Sequence, residues 1–218
     1  MERARSEKNI ILRKNKIIST CHSAYKKVGY NGINLDKIAS ESGITRPTLY
    51  KYFNNKEDIL LLILENEITL FTEELQKEFA VKKKYDVSDI VKKWVETVKK
   101  YSDLLSLYSL SFTVLEEKAS YENLKSYKKS GINNLYKIEQ ILNRLFPDVE
   151  TSKLSETVVI ILATISGLYT ATQLTEKQES ILSELNGDLN LDFKELLTTF
   201  LYGTFKQLHS ENAILQEK

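Results

Sequence analysis

Leu35-Asp36-Lys37-Ile38-Ala39-Ser40-Glu41-Ser42-Gly43-Ile44-Thr45-Arg46-Pro47-Thr48-Leu49-Tyr50-Lys51-Tyr52-Phe53 decides how the chain folds. Leu35, Ile38 and Ala39 recur at helical spacing behind Asn34, a residue suited to cap a helix start, and Gly43 stops the element. Thr45 is placed to cap a second helix. Pro47 falls in that helix's first turn, where a missing N–H leaves no bond unmade. A helix, a glycine turn and a second helix make the helix-turn-helix pattern, with Leu35, Ile38, Ala39, Ile44, Leu49 and Phe53 expected in its core.

Upstream, Ile17, Ile18, Cys21, Ala24, Tyr25 and Val28 mark an amphipathic helix over 7–28, ended by Gly29 and basic on its other face. Downstream, Asn54-Asn55 breaks the chain before a long helix that opens at Lys56 and carries Leu60, Leu64, Ile68, Phe71, Leu75 and Phe79. At 1.5 Å per residue it is about 35 Å long, enough to join two domains. After the basic run Lys82-Lys83-Lys84, helices are expected over 87–101, 103–117, 120–146, 152–174 and 191–210. Residues 175–190 read as a linker with one helical turn near Ile181. With 7 Gly and 2 Pro in 218 residues, the chain is expected to be all-α, with a small head (1–56) and a larger body (57–218).

Charge separates the two parts. Residues 1–56 hold 12 Lys or Arg against four acids, a net of +8, while the remainder holds 19 basic and 26 acidic residues, a net of −7. A basic head on an acidic body points to a polyanionic partner for the head. No glycine-rich phosphate loop, HExxH or serine-elbow motif is present, and the two histidines, His22 and His209, build no acid–base constellation, so no enzyme and no cofactor is expected. A single cysteine excludes an internal disulfide, and Cys21 beside His22 is a poor metal pair because adjacent helical positions point apart. The charged N-terminus does not read as a signal peptide, which favours the cytoplasm. Thr157 to Thr175 runs 19 residues without a charge, but its five Thr, one Ser and one Gln favour a doubly buried helix over a membrane span.

Gly29-Tyr30, Ile38-Ala39, Gly43-Ile44-Thr45, Leu49-Tyr50, Tyr52-Phe53 and Lys56-Glu57 together resemble the N-terminal signature of the TetR family of bacterial transcriptional regulators, over about residues 10–62. The resemblance implies an all-helical homodimer in which three N-terminal helices bind duplex DNA and the rest binds a small ligand and dimerises. It makes 46–52 the recognition helix, with Asn34, Thr45, Arg46, Pro47, Thr48, Tyr50, Lys51, Tyr52 and Lys56 as the DNA-contacting set. Arg46 suits guanine O6 and N7, Thr48 a base edge, and Tyr50, Lys51, Tyr52 and Lys56 the phosphates. Many relatives carry His where Tyr52 stands, which changes the donor without removing it.

In the body, Trp94, Tyr101, Tyr108, Phe112, Tyr127, Tyr136 and Tyr169 are the candidates to line an apolar effector pocket. The helices over 152–174 and 191–210 are the candidate dimer interface, with Val159, Ala163, Ser166, Gly167, Thr170, Leu197, Phe200, Leu201 and Thr204 facing the second copy. These features support a repressor released from a pseudo-palindromic operator by a ligand. The competing reading is a DNA-binding protein of the same fold whose body engages a protein partner.

Overall fold

A computed structural model describes residues 2–80, 84–187 and 191–216, with side chains over 8–80, 84–187 and 191–210. Regular structure among these residues is helical throughout. Helix α1 (Glu2–Gly32) is interrupted at Gly29, whose φ of 63° and ψ of −176° suit a residue without a Cβ; one further turn carries the chain to Gly32. Then follow α2 (Leu35–Glu41), α3 (Arg46–Leu49), α4 (Lys56–Glu78) and α5 (Val87–Val98). Of the basic run at 82–84, Lys82 and Lys83 lie outside the described residues.

Two segments differ from the sequence reading. The single helix expected over 103–117 is α6 (Ser102–Leu110), a π-helical turn (Ser111–Leu115) and a short α7 (Glu116–Lys118), the helix widening where Ser111 and Leu115 are both fully buried. After α8 (Tyr121–Leu145) and α9 (Thr151–Thr172), the expected linker holds a nine-residue helix, α10 (Glu176–Glu184). It starts with a reciprocal cap: Thr175 Oγ1 accepts from Gln178 N at 3.3 Å, and Thr175 N donates to Gln178 Oε1 at 2.9 Å. Helix α11 (Phe193–Gln216) closes the chain.

The chain forms two compact units. The first comprises residues 1–67 and 110–130, so it takes in three turns of α4 and the segment from the π turn into α8, beyond the 1–56 head read from sequence. Its core includes Ile17, Cys21, Ile38, Leu49, Phe53, Ile59, Leu115 and Tyr127, each large side chain stabilising it by about 1.5–3 kcal/mol. The physical reason for the wider boundary is at the start of α4. Asp58, fully buried, accepts from Asn54 N at 3.2 Å and from Ser120 N at 2.7 Å. Asn55 accepts from Asp58 N at 2.8 Å and donates to the Lys118 carbonyl at 2.7 Å.

The second unit comprises residues 68–109 and 131–218, with α11 packed on α5 and α9. Trp94 is its central side chain, edge-on to Phe71 at 6.4 Å and tilted against Phe205 at 5.6 Å; Phe205 stacks on Phe146 at 6.0 Å. Lys93–Glu78 and Lys100–Glu74 pairs, at 2.6 and 2.8 Å, flank α5. Helix α9 is long and apolar enough by composition to cross a membrane, with mean hydropathy 1.6 over its most apolar window and 33% of that window buried in the protomer.

Candidate nucleic-acid interface

Helices α2 and α3 are joined by Ser42-Gly43-Ile44-Thr45, with Gly43 at φ 73°, a conformation side-chain-bearing residues rarely adopt. Asn34 caps α2, its Oδ1 accepting from Asp36 N at 2.8 Å and Lys37 N at 3.3 Å. Ile38, Ala39, Leu49 and Phe53 are buried beneath, as their spacing requires, and Leu35 and Ile44 are half-buried. The α-helical part of α3 ends at Leu49. Backbone bonds from Tyr50, Lys51, Tyr52 and Phe53 nitrogens to the carbonyls of Arg46, Thr48, Leu49 and Leu49 carry the turn on, so 46–53 still forms one continuous element.

The side chains expected to meet DNA divide into three kinds. Arg46, Pro47, Tyr50 and Lys51 are exposed, and Thr48 and Tyr52 are half-buried at the same element. Thr45 holds the N-cap position of α3 but its hydroxyl does not cap; it pairs with the Thr48 hydroxyl at 2.9 Å, leaving the first N–H groups of α3 uncapped by it. Lys56 is engaged internally: its ammonium donates to the Tyr30 carbonyl at 2.9 Å and lies 3.8 Å from the Tyr30 ring centroid. The phosphate role expected of Lys56 therefore competes with a role in fastening the end of α1 to α4. Beside it, Tyr30 Oη donates to the buried Glu57 carboxylate at 2.6 Å; burial first, then that carboxylate, pushes the Tyr30 hydroxyl up to about 12.

Arg46 is not free either. Its Nε lies 3.0 Å from Asp36 Oδ1, Nη1 donates to Asp36 Oδ2 at 3.1 Å, and Nη2 reaches Tyr50 Oη at 3.4 Å. These partners, the Tyr50 hydroxyl foremost, raise the guanidinium pKa further, so it stays charged throughout the working range. Sequence reading missed Asp36 and Asp58, whose partners are brought to them only by the fold.

The aromatics expected to line a pocket are divided between the two units. Trp94, Tyr101, Tyr108, Tyr136 and Tyr169 belong to the second unit, while Phe112 and Tyr127 belong to the first. Trp94 and Tyr127 are core, and Phe112 and Tyr136 are exposed at 63% and 59%. Tyr101 Oη donates to the Leu70 carbonyl at 3.1 Å, and Tyr169 packs edge-on to Phe193 at 5.3 Å, its hydroxyl pKa raised by burial and then by Asp103. Trp94 Nε1 and Asn134 Oδ1 are buried in the second unit with no hydrogen-bond partner among the described residues. The second unit also carries an open cleft of about 370 Å³ between α5 and α11, lined by Val91, Lys92, Val95, Lys194, Thr198 and Tyr202. Among the described residues no group of three or more His, Cys, Asp or Glu is arranged to hold a metal.

Of the expected interface residues, Leu197 and Leu201 face the protomer's own core, because α11 turns that side toward α5 and α9, and Ser166 on α9 is buried as well. Ser166 also joins a hydroxyl cluster with Ser109, at 2.8 Å, which Thr170 completes at 2.6 Å from Ser109. Val159, Ala163, Gly167 and Thr170 are exposed, as is Ile160, and Phe200 and Thr204 are half-buried.

Comparison with known proteins agrees with this geometry. Residues 17–63 match the family model for bacterial regulatory proteins of the tetR family, and residues 65–207 match that for the tetracyclin repressor-like C-terminal domain. The fatty acid metabolism regulator protein of Bacillus subtilis is 32% identical over 66 residues, 30% of this chain and 34% of that protein. The chain thus spans about a third of the length of the curated relatives it matches. Among solved structures, a protein from Mesorhizobium loti described as a TetR-family transcriptional regulator aligns at TM-score 0.60 and 12% identity, over 92% of this chain and 96% of that one. The FadR regulator of Bacillus subtilis, solved with stearoyl-CoA, aligns at TM-score 0.53 and 17% identity, over 87% and 96%. With both family models matched in order along a helix-turn-helix unit and a second helical unit, the chain belongs to the TetR family of bacterial transcriptional regulators.

Proposed function

We propose that this regulator is a homodimeric repressor that binds a pseudo-palindromic operator through residues 46–52 and leaves it when a small effector binds the body. The observation that carries the reading is the continuous element from Arg46 to Phe53, with Arg46, Pro47, Tyr50 and Lys51 exposed, in a head (residues 1–56) of net charge +8. DNA contact rests in residues 1–56, and effector binding and dimerisation in 57–218. The protein works in the cytoplasm and needs no cofactor and no chemical step: ligand shifts a population between two states of the dimer.

Dimerisation is supported by α9, whose apolar residues Val159 and Ile160 and small residues Ala163 and Gly167 are uncovered in the protomer. Gly167 meets no neighbouring atom within 4 Å of an ideal Cβ, so this face is open to a partner helix. Phe200 and Thr204 on α11 are the residues expected to join it. The second unit, where the buried Trp94 N–H and Asn134 carbonyl lack a hydrogen-bond partner among the described residues, is the part expected to take the effector. Acyl thioesters are the first class to titrate, because one relative of this fold was solved with stearoyl-CoA.

Genomic fragments captured on the purified protein at about physiological salt test the reading. Retention of a few fragments that share an inverted repeat, and their release by one effector class, is the expected result. Uniform retention of all fragments overturns sequence-specific binding. Selective retention that no small molecule disturbs overturns the effector role and favours a protein partner for the body.

A further inference from the structure

We propose that Asp36 is a specificity-determining positioning residue: it holds the Arg46 guanidinium in place as a base reader and keeps it from settling on phosphates. The inference rests on the reading of 46–52 as the recognition helix. Asp36 sits at the second residue of α2, its own backbone N–H fixed by the Asn34 cap at 2.8 Å. From there its carboxylate engages Nε and Nη1 of Arg46, at 3.0 and 3.1 Å, across the turn. One helical turn further on, Tyr50 Oη lies 3.4 Å from Nη2, and the guanidinium carbon lies 5.6 Å from the Tyr50 ring centroid. Each guanidinium nitrogen thus has a neighbour, one from α2 and one from the turn that follows α3.

The side chains of the pair are 59% and 56% exposed, and ion pairs that open to water contribute little to stability. Its effect is on orientation and on charge. An untethered arginine on a basic surface satisfies itself on any phosphate, which raises affinity for every sequence alike. A tethered one gains only where base acceptors stand in the right place, and the adjacent carboxylate penalises every other register. Specificity is a difference between two affinities, and an anion on a surface that meets a polyanion lowers the wrong one. Asp36 is one of four acids in the first 56 residues, and the one paired to the first residue of α3.

The test measures binding to two duplexes over a salt series: one recovered by wild-type protein from random DNA, and a shuffled duplex of equal composition. Asp36→Asn is expected to bind the shuffled duplex about 10-fold more tightly while affinity for the selected one changes less than about 3-fold. The salt slope on the shuffled duplex steepens by about 0.9, the increment for one added phosphate contact. In an Arg46→Ala background, Asp36→Asn leaves the selected-to-shuffled ratio unchanged, because Asp36 acts through Arg46. Equal gains on both duplexes, or the same loss of ratio without Arg46, overturn the proposal. If Arg46→Ala itself leaves the ratio untouched, or wild-type protein selects no sequence, the recognition-helix reading fails and takes this role with it. Both side chains being exposed, thermal melts of the variants are expected to match wild type.

Discussion

Asp58 Oδ1 accepts a hydrogen bond from the backbone N–H of Ser120 at 2.7 Å, across 62 residues of sequence. With its other oxygen the same fully buried carboxylate holds Asn54 N at 3.2 Å, just after the recognition element. One side chain thereby fastens the end of the helix-turn-helix to the chain segment that enters α8, and Asn55, bonded to the Lys118 carbonyl, doubles the attachment. Removing Asp58 leaves two N–H groups without their acceptor, so Asp58→Ala is expected to cost about 3 kcal/mol. Asp58→Asn, which keeps one acceptor oxygen, is expected to cost less. Urea melts of the two variants check the order, and equal stability of Asp58→Ala and wild type would show that this clasp holds nothing.

Alkaline titration probes the joint between α1 and α4. Tyr30 Oη donates to Glu57, and its pKa is pushed up to about 12 in the folded protein against about 10 in an unfolded chain. A group raised on folding contributes stability that is whole below the unfolded value and lost as pH rises through the folded one. Stability should therefore decline between about pH 10 and 12. Tyr30→Phe is expected to cost about 1 kcal/mol at neutral pH and to show a shallower decline above pH 10. Identical slopes for the two proteins would remove Tyr30 from the account.

Cys21 should be chemically silent. It is fully buried in the first unit, and burial pushes its thiol up to about 12 despite the nearby Lys56, so almost no thiolate exists near neutral pH. A thiol-reactive disulfide reagent at pH 8 is expected to label Cys21 only as fast as the protein unfolds, and completely in denaturant. Rapid labelling of the native protein would reopen a redox-sensing role.

The exposed face of α9 should hold the dimer together. Ile160→Glu adds a charge where apolar surface is uncovered in the protomer, so sedimentation should show monomer at micromolar concentration while the helical signal is retained. Leu201→Ala, on the fully buried side of α11, should instead lower stability by about 2–5 kcal/mol. A dimer untouched by Ile160→Glu would place the interface elsewhere.

How much of this was legible depended on how local each signal is. Gly43, Asn34 and Pro47 act within one turn of themselves, and the helix-turn-helix stands where they put it. Helix α10 was equally legible through Thr175 and Gln178, a capping pair that a polar, linker-like composition obscured. Periodicity found the apolar stripe of α11 but not what covers it, so Leu197 and Leu201 were assigned to a partner chain although their own protomer buries them. The π turn at 111–115 and the Asp36–Arg46 pair were not legible, because both depend on which segments meet in space rather than on neighbouring residues. Composition marks the seven body aromatics as apolar and polar at once, and only packing sorts Trp94 into the core and Tyr136 onto the surface.

Two copies of the Arg46–Phe53 element are expected to read one operator. Selection of bound sequences from random duplex DNA by the purified protein, at about physiological salt, is the decisive measurement. The expected result is enrichment of a pseudo-palindrome whose half-sites lie about 10 base pairs apart, or a multiple of that, centre to centre. Folded protein that retains DNA without enriching any sequence, or that enriches a single unrepeated half-site, would contradict it.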